Sequence, residues 1–256
     1  MRTPSFLSRT RTPLTLFTFG YWGNGAATAE LAKAVDAAER QRGFDPPLWV
    51  DIRIQRSVRA VGFRDDAFER LLGDRYMWLP DLGNASIQDG GRAIRIKNPA
   101  AAADLLELAI ERPARRVIFF CACLHPAGCH RRVVATLVVR AARARGGVTI
   151  VEWPGGEPRA LAVEVGPAAF RKVARGAKTM PVPAGMNMGE AAALPWGSKI
   201  VLRSAGEETA VLVGPTRFDA HGAHLPILPS EGDRTTVEME AASRRYRVEY
   251  GYGAMS

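Results

Sequence analysis

Cysteine is scarce in this chain, with three residues in 256. That is too few for a fold stapled by disulfides, and a small odd count suits a reducing compartment, so a cytoplasmic protein is expected. No stretch approaches the roughly 20 consecutive apolar residues of a spanning helix, so no membrane partner is expected. Acidic side chains are also short in supply, 26 against 35 basic ones, which leaves a net charge of +9. Such an imbalance points toward anionic partners. Yet 30 of the basic residues are Arg in a chain rich in Ala and Gly, a pattern that genome-wide base composition also produces.

The remaining composition is that of a folded domain. Hydrophobic residues make up 47% and charged residues 24%, which excludes disordered, collagen-like and coiled-coil classes for most of the chain. The length corresponds to one large domain or two small ones. Residues 1–13 are basic, rich in Ser and Thr and free of acid. They lack the long apolar region of a secretory signal, and a disordered start is expected there.

Charge and cysteine are unevenly spread. Residues 1–154 carry 23 basic and 15 acidic residues, whereas residues 155–256 carry 12 and 11. An anionic partner therefore belongs to the first part. Cys121, Cys123 and Cys129 fall within nine residues, with His125 and His130 beside them.

The first part alternates strand-like and helix-like segments. Strands are expected at 14–19, 48–53, 76–79, 116–122 and 148–153. A helix over 26–42 has Leu31, Ala34, Val35 and Ala38 on one face and Gly43 to end it. A short helix over 65–72 presents Phe68, Leu71 and Leu72. Asn98 followed by Pro99 marks the start of another, an N-cap and then a proline at the first helical position. A fourth over 131–145 presents Val133, Val134, Leu137, Val138 and Ala141. This order predicts a three-layer, doubly wound α/β fold with a mostly parallel sheet. In such sheets ligands bind beyond the carboxyl ends of the strands. The segments to inspect are therefore 20–24, 51–57 and 121–131.

After Trp153 the pattern weakens. Residues 154–158 read as a linker. Residues 180–189 show little pattern. Segments 199–203 and 209–213 flank a turn and predict a hairpin, and 245–250 alternates as a late strand. His221 and His224 read as solvated loop histidines. Residues 154–256 are expected to form a small β-containing domain of unread role.

The chemistry concentrates in residues 121–131, a loop from a central strand into a helix. Unpaired N–H groups and the macrodipole make a helix start receptive to anions, phosphate above all. Arg131 adds a planar bidentate donor. The same field favours a thiolate, so Cys121 or Cys129 becomes a candidate nucleophile, with His130 to move protons. Asp51 and Arg53 are expected to face this loop. Asp51 would orient His130 or Arg131, and Arg53 would take an anion oxygen, the alternative being a structural ion pair between them. Gly20, Tyr21, Trp22 and Asn24 close the first strand at the same edge. The aromatics there either stack on a base or cap the core.

These residues resemble the DUF488 domain family, whose function is not characterised. Its hallmark is a strand ending in Cys-x-Glu, a loop, and Cys-His-Arg opening a helix. Cys121, Cys129, His130 and Arg131 match this at the family spacing, while Cys123 stands where the family usually has Glu. Thr18, Phe19 and Gly20 match its Thr-x-Gly start, and Asp51 and Arg53 its Asp-x-Arg strand end. The proline that usually follows is replaced near Arg56, and Ser57 approximates the family's serine. Leu79, Pro80, Asp81, Leu82 and Gly83 resemble its Leu-Pro-x-Leu-Gly. The resemblance covers about residues 14–153 and implies no particular reaction.

The residues leave several functions open. The leading one is a cysteine-dependent enzyme, a transferase or hydrolase, acting on a phosphate-bearing small molecule or nucleic acid. Catalytic roles then fall to Cys121, Cys129 and His130. Binding falls to Arg131, Arg53, Asp51, Ser57, Gly20, Tyr21, Trp22 and Asn24. A second is a non-catalytic nucleic-acid-binding protein. A third is a redox or zinc-binding module using Cys121, Cys123, Cys129 and His130. The sequence names no cofactor.

Overall fold

The computed structural model describes residues 14–228, apart from Asp89, Gly91, Arg92, Pro113, Ala114, Ala127, Gly146 and Ala220. The expected disordered start at 1–13 and the expected strand at 245–250 lie outside the described residues.

The first part runs β1 (Leu14–Gly20), α1 (Thr28–Gln41), β2 (Asp45–Asp51), α2 (Ala67–Leu72), β3 (Tyr76–Trp78), α3 (Ala102–Ile110), β4 (Arg115–Cys121), α4 (His130–Ala142) and β5 (Val148–Glu152). The five strands form one parallel sheet in the order β3-β2-β4-β1-β5. Strand alternation sends successive side chains to opposite faces. Leu16, Val117, Phe119 and Cys121 pack with α3 and α4, whereas Phe17, Phe19, Ile118 and Phe120 pack with α1 and α2. This is the expected α/β sandwich. Complete burial of side chains such as Phe119 and Phe120 supplies about 1.5–3 kcal/mol each.

Local chemistry accounts for the boundaries. β2 starts earlier than its apolar run, because Pro46 and Pro47 are accommodated at a register shift between Asp45 and Leu48. Asn98 caps as expected, its Oδ1 accepting the Ala100 N–H at 3.2 Å, but the first turn is 3₁₀ before α3 begins. Leu71 was expected to face the core and is instead exposed, since α2 buries Phe68 and Leu72.

The later part is β6 (Ala160–Glu164), α5 (Pro167–Ala174), β7 (Thr179–Pro181), α6 (Met188–Ala192), β8 (Ser198–Ser204), β9 (Glu207–Val213), β10 (Arg217–Asp219) and β11 (Gly222–Leu228). Its mixed sheet has the order β10-β11-β9-β8-β6, with β7 paired to β11. The expected hairpin is β8–β9. Its turn is tighter than expected, with Ala205 and Gly206 both at positive φ, as a two-residue hairpin turn requires. Residues 180–189 are not patternless. They end β7 and enter α6 through a capping box between Asn187 and Glu190. His224 sits on β11, not in a loop, 3.5 Å from Asp219. No described helix is long and apolar enough to cross a membrane.

Among the contacts that join the parts, two involve the α1 side of the first sheet. Gly189 of α6 lies so close to α1 that a Cβ would meet Ala37 Cβ at 3.0 Å and Ala38 N at 3.1 Å. Phe218 of β10 is buried in the α1 side of the core.

Candidate functional site

The sheet order places a crevice between β1 and β4. The two strands are neighbours, with Gly20 paired to Cys121, but β1 leads to α1 on one face and β4 leads to α4 on the other. Such a switch point is where open α/β sheets carry their sites. The cysteine loop lies there.

Cys121 ends β4 and Cys129 is the N-cap of α4. Their Sγ atoms are 3.0 Å apart, and both residues are buried. The Cys129 sulfur does the work that Ser or Asp usually does at a cap, accepting the Arg131 N–H at 3.5 Å. Cys123 is exposed, yet its Sγ falls with the other two inside 4.8 Å. Hydrogen bonds from Cys121 and Cys123, then His130 and the positive charge of Arg131, hold Cys129 well below the usual thiol range. Burial pushes Cys121 well up, aided by its hydrogen bonds to Cys123 and Cys129. Of the two sulfurs, Cys129 is the one favoured to ionise and Cys121 the one favoured to keep its proton.

His130 packs beside the pair. Its Nε2 lies 3.0 Å from the Ile52 carbonyl oxygen and its Nδ1 lies 3.9 Å from Cys129 Sγ. A carbonyl only accepts, so Nε2 donates to Ile52, and this bond fixes the ring with Nδ1 toward the Cys129 sulfur. A cysteine sulfur, an imidazole and the carbonyl that orients the imidazole therefore lie side by side.

Arg131 is fully buried, and both terminal nitrogens of its guanidinium are engaged within the protein. Nη1 donates to Glu152 Oε1 at 2.7 Å, and Nη2 donates to the carbonyls of Cys123 and Leu124 at 2.9 and 3.1 Å. Glu152 also accepts from Thr18 Oγ1. Burial raises the Glu152 carboxyl, against the lowering effect of Arg131 and Thr18. The guanidinium acts as a clamp that pins the cysteine loop to the end of β5. Gly20 makes room for it, because a Cβ there would collide with the Cys123 carbonyl and come within 2.9 Å of Arg131 Nη2.

Asp51 and Arg53 form the structural ion pair that the sequence left as an alternative. Arg53 Nε donates to Asp51 Oδ1 at 2.8 Å, and Nη1 donates to Tyr21 Oη and the Phe63 carbonyl at 3.0 and 2.9 Å. Asp51 takes the Tyr76 hydroxyl at 2.7 Å and orients neither His130 nor Arg131. Tyr21 is stacked on Phe63 with centroids 3.9 Å apart and belongs to the core. Trp22 is 63% exposed. Asn24 is buried and accepts the Phe218 N–H at 2.9 Å. Ser57 is exposed on the loop after β2.

The structure thus brings together Gly20, Cys121, Cys129, His130 and Arg131. It commits Asp51, Arg53, Tyr21 and Asn24 to internal contacts. Glu152 and the Ile52 carbonyl were missed by the sequence reading. Glu152 had a signal: it ends the strand next to β1, at the same sheet edge that directed attention to the other loops. His125 stacks near Trp196, with centroids 5.0 Å apart, and burial followed by Arg131 and Arg217 lowers its pKa.

No family model, curated protein or solved structure matches this chain.

Proposed function

We propose that the chain is a cysteine-dependent redox protein, with Cys129 as nucleophile, His130 as its hydrogen-bonding neighbour and Cys121 as resolving thiol. The observation that carries this is the 3.0 Å approach of two buried sulfurs at the switch-point crevice. Closing that gap by about 1 Å makes a disulfide. Burial of both sulfurs favours a small hydroperoxide over a bulky oxidant. The Cys129 thiolate attacks the terminal peroxide oxygen, the O–O bond breaks, and the departing alkoxide or hydroxide takes a proton from solvent, which gives alcohol or water and a Cys129 sulfenic acid. The Cys121 sulfur then attacks Cys129 Sγ, the S–O bond breaks, and water leaves. One hydroperoxide is reduced and two thiols become one disulfide.

A phosphate-bearing ligand has less support, because Arg131 and Arg53 are already spent on Glu152 and Asp51. Membership of the DUF488 family is part of this proposal. Its support is that Gly20 and Cys129-His130-Arg131 meet at one sheet end, beside Asp51-x-Arg53. That membership brings no reaction with it.

The test is one equivalent of hydrogen peroxide on the reduced chain, followed by peptide mass mapping. The expected product is a Cys121–Cys129 disulfide. Cys121→Ser should stop at a Cys129 sulfenic acid that a dione reagent traps, and Cys129→Ser should consume no peroxide. Oxidation confined to Cys123, or unchanged peroxide consumption in Cys129→Ser, overturns the reading.

A further inference from the structure

We propose that Cys121, Cys123 and Cys129 together hold one soft, thiophilic metal ion of the zinc and cadmium class through three sulfurs. The proposal shares two sulfurs with the redox reading and adds Cys123, on which that reading does not depend. All three Sγ atoms lie within 4.8 Å of one another. Metal–sulfur bonds of about 2.3 Å put the sulfurs of a tetrahedral or trigonal site about 3.8–4.0 Å apart, inside that span. The Cys121–Cys129 pair, at 3.0 Å, opens by about 1 Å to admit the ion.

The surroundings suit such an ion. Thiolate donors select zinc and its soft relatives over calcium or magnesium. The cation of Arg131 would oppose a metal if it were unpaired, but Glu152 neutralises it at 2.7 Å. The same guanidinium fixes the carbonyls of Cys123 and Leu124, so the loop that carries the third sulfur is pinned over the other two. The positive end of α4 stabilises the net negative charge of three thiolates around a divalent ion. Cys123 is exposed and gives the ion a route from solvent. Among the described residues no histidine or carboxylate completes the cluster, so the fourth position of a tetrahedral ion is open to water.

The test is a titration of the reduced full-length chain with Cd²⁺ in competition with a chromophoric chelator, reading the thiolate-to-metal charge-transfer band. The expected result is one ion per chain. Cys123→Ser replaces an exposed residue, so the fold persists. It should lower affinity about tenfold or more and cut the band to about two thirds. Zn²⁺ should displace the band and protect all three thiols from alkylation. Absence of stoichiometric binding, or unchanged affinity and intensity in Cys123→Ser, overturns the proposal. Peroxide treatment of Cys123→Ser separates the two readings, because the Cys121–Cys129 disulfide forms there whether or not the metal site exists.

Discussion

Arg131 and Glu152 form a buried pair across the switch-point crevice, with Nη1 on Oε1 at 2.7 Å and the arginine fully enclosed. The residue that looked from sequence like an anion ligand is a tie between α4, β5 and the cysteine loop. Removing one partner of such a pair strands the other charge, at a cost of about 3–5 kcal/mol. Glu152→Gln should therefore lower the unfolding free energy obtained from urea denaturation by that amount. It should also loosen the loop, so that Cys123 and Cys129 alkylate faster. A variant within about 1 kcal/mol of the parent would show that Arg131 is held by something else.

Asp51 and Arg53 make the same argument at the other side of the sheet. Asp51 accepts from the Arg53 backbone and side chain and from the Tyr76 hydroxyl, all in the interior. Asp51→Asn is expected to destabilise by about 3–5 kcal/mol by leaving the Arg53 charge unpaired. Peroxide oxidation of Cys129, measured in the fraction that stays folded, should be unchanged. Full stability with lost oxidation would return Asp51 to the site.

The parallel sheet was legible because its strands and helices carry their periods, and Asn98 with Pro99 marks one helix start. The 48–50 and 117–120 runs carry continuous apolar character, as a sheet buried on both faces demands. The cysteine loop was legible because it follows the carboxyl end of an expected central strand, where such sheets carry ligands. What was not legible is where each polar group spends its hydrogen bonds. An arginine beside a helix start reads alike whether it meets a ligand or a neighbouring strand's Glu152. Only the placement of β5 next to β1 decides between them. The later sheet was harder still. Its helices are short, β6 pairs in parallel with β8 across a long connection, and α6 is five residues held by one capping box.

Gly20 provides a test of the crevice itself. It ends β1 where the Cys123 carbonyl lies across the strand, and an added Cβ would strike loop backbone instead of the far end of a flexible side chain. Gly20→Ala should cost about 1–3 kcal/mol through overpacking. It should also raise the exposure of Cys129 by lifting the loop. Faster alkylation of Cys129 with only a modest drop in melting temperature is the expected signature. Unchanged alkylation would mean that the loop does not rest on Gly20.

Asn24 links the two sheets. Its buried Oδ1 accepts the Phe218 N–H at 2.9 Å, and Phe218 itself fills the α1 side of the core. Asn24→Ala leaves that N–H buried without an acceptor, which costs about 1–3 kcal/mol. The loss should be local. Hydrogen exchange at the Phe218 amide should accelerate, and neighbouring amides of β10 and β11 should follow it, while those of β4 keep their protection. Uniform acceleration across both sheets would show instead that the two parts unfold as one cooperative unit.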